Sequence, residues 1–157
     1  MRRYQPSLLG GLFIGIVSAL PIVGALNYCC CLWVVTGGLL TTWLQQQGRT
    51  DALDTAEAAL GGLLSGLIGA VIYVVFHALL FSMSGDSFEA ALRTMVEQYP
   101  QMPADLRDRM LGMGTGRNMI LIMTAVTLPL YAVFGMLGAL LGLALFRKPS
   151  PPPPAVS

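Results

Sequence analysis

Charge is what this sequence lacks. Only 11% of its 157 residues are Asp, Glu, Lys or Arg, against roughly 25% in soluble globular domains. The few charges are also segregated: none lies between Gln5 and Gly48, between Ala58 and Gly85, or between Asn118 and Phe146. Proton relays, voltage sensors and ion-coupled carriers usually place a charged residue inside an apolar span, and no such residue occurs here. His77 is the single histidine, and the only cysteines are the consecutive Cys29, Cys30 and Cys31. Paired CxxC, HExxH and phosphate-loop patterns are all missing, which argues against zinc enzymes and nucleotide hydrolases. A net charge of +1 with no basic patch interleaved with aromatics sets nucleic-acid binding aside.

What is present is apolar. Hydrophobic residues make up 55% of the chain, and its mean hydropathy is +0.68. Uncharged stretches longer than about 18 residues read as membrane-spanning helices, because a charge in hydrocarbon costs several kcal/mol. The first residues resemble a signal peptide, with Val23-Gly24-Ala25 as a small-residue cleavage site; the segment is read here as a first transmembrane helix. Arg2 after Met1 excludes N-myristoylation.

The first uncharged stretch is too long for one crossing of about 30 Å, and Pro21, Gly24 and Asn27 near its middle are turn residues. The reading is all-α, with four transmembrane helices in two hairpins. The spans are expected at 7–23, 28–46, 58–82 and 118–146, the last kinked at Pro129. A single long tilted helix in place of the first two is the alternative. Residues 1–146 form one domain, and the proline-rich tail 147–157 is expected to be extended and mobile. Arg2, Arg3, Arg49, Arg147 and Lys148 stand next to spans on one side, which favours both termini in the cytoplasm of a bacterial inner membrane.

The segment 84–117 reads as an extracytoplasmic helical loop. Asp86 and Glu89 have capping-box spacing. Phe88, Leu92, Met95, Val96 and Tyr99 then form an apolar stripe at helical spacing, which fits either a cap on the bundle or a docking surface for a partner. Pro100 ends that helix, and Pro103 opens a shorter one with Leu106, Met110 and Met113 inward.

Glycines recur four apart. Gly11 and Gly15, Gly62 and Gly66 (with Gly69 beyond), and Gly138 and Gly142 are expected to let helix backbones approach closely, within the chain or against a second copy. The frame L-G-G-L-x-x-G-x-x-x-A occurs at both Leu9–Ala19 and Leu60–Ala70, so the two hairpins could be related. "GGLFIGIVSALPIVGALNYCCCLWVVTGGLL", "ALGGLLSGLIGA" and "FGMLGALLGLALFRK" together resemble a group of small uncharacterised bacterial membrane proteins. These have a glycine-rich first helix, a proline turn and a CCCLW-like start to the second. The resemblance implies membrane residence and no particular activity.

Chemistry, if any, rests on Cys29–Cys31 and His77, expected at similar depth. Thiolate, imidazole and nearby methionine would suit Cu(I) or haem. Three consecutive helical cysteines point about 100° apart, however, so they do not all face one ion. Packing at a tight hairpin is the simpler reading of the cysteines, with a strained vicinal disulfide or palmitoylation as further alternatives. For His77 it is hydrogen bonding to Tyr73, Tyr28 or Ser82. A serine–histidine pair would need Ser18 to face His77, since Ser65 lies about 18 Å from it along one helix. No cofactor is expected. The functional expectation is a non-catalytic accessory or scaffold subunit, packed in the lipid bilayer beside other membrane subunits or itself. The alternatives are a small channel or transporter lined by Thr36, Thr41, Thr42, Ser65, Thr124 and Thr127, and a soft-metal or haem redox protein using Cys29–Cys31 and His77.

Overall fold

The computed structural model describes residues 4–24, 27, 31–47, 49, 51–113 and 116–146. They form six helices and no strand: α1 (Gln5–Ala19), α2 (Pro21–Gly24), α3 (Leu32–Gln47), α4 (Thr55–Glu97), α5 (Ala104–Met113) and α6 (Gly116–Leu145). The expected mobile tail lies outside the described residues.

Proline sets the first corner. Leu20 is extended, at φ −72° and ψ 127°, because the ring of the following Pro21 crowds it out of the helical conformation. α1 therefore stops at Ala19 rather than Val23. Pro21 then opens the short α2, where a missing N–H costs nothing. α3 starts at Leu32 rather than Tyr28. Cys31 precedes it at φ 50°, a left-handed conformation that costs a residue with a Cβ about 1–2 kcal/mol. Its N–H donates to the Asn27 carbonyl at 2.9 Å, and its own carbonyl accepts from Val34 and Val35. Cys31 is thus the corner itself, not a residue of the helix.

α4 begins cleanly. The Asp54 carboxylate accepts from the Ala56 N–H at 3.2 Å. Glu57 sits in the first turn, where the helix dipole favours negative charge. Both guanidinium nitrogens of Arg49 donate to Glu57, tying the α3–α4 connection down and holding the Arg49 pKa above its ordinary value.

The largest departure from expectation is where α4 ends. A span ending at Ser82 and a separate loop helix were expected; a single helix runs through Gly85 to Glu97. At 1.5 Å per residue it is about 64 Å long. A glycine in a helix interior costs only about 1 kcal/mol, and no proline precedes Pro100, so nothing stops the helix sooner. The Asp86–Glu89 pair therefore marks no helix start. Pro103 does open a helix: its carbonyl accepts from the Leu106 and Arg107 N–H groups. Leu106 is exposed, however, where an inward position was expected, and Met110 is only half-buried.

Among the described residues, two helices, not four, are long and apolar enough to cross a membrane: α4 over Thr55–Met83 and α6 over Asn118–Leu145. α1 has 15 residues and α3 has 16, about 22–24 Å against roughly 30 Å of hydrocarbon. The Pro21 and Cys31 corner shortens both. α6 continues through Pro129 without a break.

α1 and α6 each pack against both α3 and α4, and α3 also touches α4, so α1 and α6 occupy opposite corners of a four-helix diamond. The bundle is inside out relative to a soluble one. Leu12 and Ile16 on α1, Val71, Val75 and Leu79 on α4, and Val133, Leu137 and Leu141 on α6 all face outward. Ser7, Ser18, Thr41, Thr42, Gln46, Ser65 and Thr127 are buried. Apolar-out and small-or-polar-in is the arrangement of helices solvated by lipid. The buried hydrophobic cluster is small: Ile14, Cys31, Val34, Ala70 and Tyr131, with Tyr73, Leu128 and Phe134 against it.

Small residues set the helix spacing. A Cβ on Gly11 or Gly15 of α1 would lie 2.6 Å from the Cβ of Ile68 or Ile72 on α4, and Gly69 faces Ile14 in return. Gly62 and Gly66 of α4 meet the α6 backbone around Gly135 and Tyr131, while Gly138 and Gly142 of α6 meet Val35, Leu39 and Thr42 of α3. Sequence spacing did not single out Gly10, Gly37, Gly38 and Gly135, yet each meets a neighbouring helix as closely: Gly135 lies opposite Gly62 and Gly66, and Gly38 opposite Gly135.

Candidate functional site

Where the α1–α2–α3 corner closes over α4 and α6, the bundle leaves a cavity of about 350 Å³. The corner contributes Ser18, Asn27 and Cys31, α4 contributes Tyr73 and His77, and α6 contributes Thr127 and Tyr131. Ala19, Leu20 and Leu130 complete the wall with Gly24. His77 lies about 9 Å along α4 from Met83, and Thr127 about 14 Å along α6 from Asn118, at 1.5 Å per residue. The cavity therefore sits within the apolar length of both long helices.

Asn27 organises it. Its side-chain amide donates to the Ser18 hydroxyl at 2.7 Å and to the Tyr131 hydroxyl at 3.2 Å. Its side-chain carbonyl accepts from the Trp33 N–H at 3.1 Å. The Trp33 indole N–H donates to the Val23 carbonyl at 2.7 Å, and its ring meets Phe13 edge-on. One side chain thus ties the end of α1, the start of α3 and the middle of α6. Asn27 was expected only as a turn residue. A lone asparagine inside a long uncharged stretch is the signal that could have marked it, since an amide at that depth must find partners.

His77 Nδ1 lies 3.0 Å from the Tyr73 carbonyl oxygen. A carbonyl only accepts, so Nδ1 carries a proton, and in the neutral ring Nε2 is then an acceptor. The Tyr73 and His77 rings lie 4.0 Å apart between centroids, tilted by 39°, and Tyr73 lies 5.6 Å from the Tyr131 ring. Of the partners expected for His77, Tyr73 serves through its backbone and ring. Ser82 bonds the Leu79 carbonyl instead, and Tyr28 lies outside the described residues. Thr127 is buried, and its hydroxyl is hydrogen-bonded to no described residue. Thr36, Thr41, Thr42, Ser65 and Thr124 all donate to backbone carbonyls. Of the hydroxyls considered for a pore, only Thr127 lines the cavity.

Cys31, His77 and Ser18 line the same cavity. No hydrogen bond links Ser18 to His77. Cys29 and Cys30 lie outside the described residues, among which no group of three potential metal ligands occurs. Among the described residues lining the cavity there is no Asp, Glu, Lys or Arg, and an unpaired ion moved out of water into such surroundings pays a large desolvation cost.

The expected docking stripe divides. Val96 is buried and Leu92 half-buried, because α5 returns against α4, while Met95 and Tyr99 are more than half exposed. The side chain of Phe88 lies outside the described residues. At the opposite end of the bundle, a second cavity of about 330 Å³ is lined by Tyr4, Ser7, Gln45, Glu57 and Gly61. The buried Gln45 carbonyl oxygen has no hydrogen-bond partner among the described residues.

No curated protein and no solved structure matches this chain. The family described as the MJ1491 transmembrane domain matches residues 4–148, spanning all six helices and the polar cavity between them. The chain belongs to the MJ1491 transmembrane domain family, and is a membrane protein associated with the lipid bilayer.

Proposed function

We propose that this chain is a non-catalytic accessory or scaffold subunit of a membrane assembly, with both termini in the cytoplasm. The observation that carries this reading is α4. One uninterrupted helix is clamped to α1 and α6 through backbone-close glycines along its apolar half. It then projects about 20 Å past Met83, at 1.5 Å per residue, with Met83, Met95 and Tyr99 exposed. A rigid strut anchored in the bilayer and carrying apolar side chains beyond it suits contact with a neighbouring subunit. In this reading α1 and α3 also lie in the bilayer, giving four membrane helices in two hairpins. Their shortness is offset by the corner between them, where Asn27 bonds Ser18, Trp33 and Tyr131.

A channel is less well supported, since the hydroxyls of Thr41, Thr42 and Ser65 are consumed by backbone carbonyls inside packed interfaces. Soft-metal binding is the second reading, favoured by Cys31 and His77 facing one cavity. Purification in mild detergent tests the first reading. Co-purifying membrane subunits support it, whereas a self-sufficient oligomer with a water-filled axial path removes it in favour of the channel.

A further inference from the structure

The cavity beneath the α1–α2–α3 corner is polar at its base and apolar at its mouth. Ser18, Thr127 and Tyr131 are all more than nine-tenths buried and line it. Two hydrogen-bonding groups there have no partner among the described residues: the Nε2 acceptor of His77 and the hydroxyl of Thr127. The wall then passes over Leu20 and Leu130, each more than 40% exposed on the outer surface of the bundle. Leu130 lies within the apolar length of α6, and Leu20 lines the same cavity beside it, so the mouth faces lipid. A guest arriving by that route is lipid-soluble. A guest that stays needs a group able to accept from one partner and donate to another, and it carries no charge, because no lining side chain would balance one.

We propose that this cavity binds the uncharged, hydroxyl-bearing headgroup of a lipid-soluble molecule. The headgroup lies between His77 and Thr127, and the tail leaves past Leu20 and Leu130 into the bilayer. The Tyr73 and His77 rings, 4.0 Å apart between centroids and tilted by 39°, give the cavity an aromatic wall that a ring-shaped headgroup can contact. The volume of about 350 Å³ lies in the ordinary range for a small-molecule site, roughly 300–1,000 Å³. The inference rests on membrane residence and not on a scaffold role.

The test uses the full chain in lipid nanodiscs, with Trp43→Phe leaving Trp33, beside the corner, as the reporter. A decyl-substituted benzoquinone, its quinol and dioctanoylglycerol are titrated separately; the quinone quenches Trp33 directly, and the other two are read by competition. Saturable quenching is expected, weakened about tenfold by the near-isosteric Thr127→Val, which removes the donor to a quinone carbonyl; His77→Phe should weaken competition by the hydroxyl-bearing quinol about tenfold, as loss of one buried hydrogen bond implies. Competition by quinol marks a ring headgroup, and competition by dioctanoylglycerol marks a glycerolipid. Decyl phosphate should not compete. Quenching that rises linearly and identically in both variants is simple partitioning into lipid and overturns the proposal, as does competition by decyl phosphate.

Discussion

Gly66 of α4 lies so close to Tyr131 of α6 that a methyl group on it would overlap the Tyr131 carbonyl and come within 3.0 Å of the Ala132 Cα. Both obstacles are backbone, which no rotamer change can move aside. Gly66→Leu is therefore expected to cost about 1–3 kcal/mol or more by forcing the helices apart. Leu67→Ala, at the neighbouring half-buried position, should cost about 1 kcal/mol or less. Thermal unfolding in detergent compares them. An unchanged midpoint for Gly66→Leu would mean that α4 does not meet α6 at this position.

Asn27 makes three hydrogen bonds to three separate parts of the bundle. Each is worth about 0.5–1.5 kcal/mol net, so Asn27→Ala is expected to lose about 2–4 kcal/mol and to loosen the corner. Faster hydrogen exchange at the Trp33 amide should accompany it. Ser18→Ala removes one partner only and should cost less. Equal effects of the two substitutions would show that Asn27 does not organise the corner.

Cys31 holds a left-handed backbone at φ 50° while its side chain is buried. A β-branched residue is strongly disfavoured in that conformation, so Cys31→Val should destabilise by more than Cys31→Gly, although valine is the larger and more apolar replacement. The reverse order in unfolding midpoints would place the corner elsewhere.

The three cysteines are expected to serve packing, not metal binding. A Cys29→Ala, Cys30→Ala, Cys31→Ala triple variant should fold with a loss of about 1–3 kcal/mol, and elemental analysis of the purified native protein should find no stoichiometric copper, haem iron or zinc. Whole-number metal content that disappears in both the triple variant and His77→Ala would put the soft-metal reading first.

Asp51 and Gln98 bracket a single helix whose apolar half is long enough to cross the bilayer. Single-cysteine labelling should reach position 51 from the cytoplasm and position 98 from outside. Labelling of both from one face would mean that α4 lies along the membrane rather than through it.

Membrane residence was legible in the sequence, because the exclusion of charge from long stretches is a property of composition alone and needs no contact information. The Pro21 corner and the Pro103 helix start were legible for the same kind of reason: a pyrrolidine ring acts on its own neighbours whatever the tertiary context. The far end of α4 was not. Gly85 and Asp86 look like punctuation locally, but their cost is small enough for a long helix to absorb, so the expected break at Ser82 does not occur. The cavity was still less accessible. Ser18, Asn27, His77, Thr127 and Tyr131 are scattered through the chain, and each taken singly reads as an ordinary polar residue in an apolar stretch. Only the folding of a short α1 and α3 against two longer helices sets them around one space, because a helix that stops early leaves its longer neighbours to supply the remaining wall.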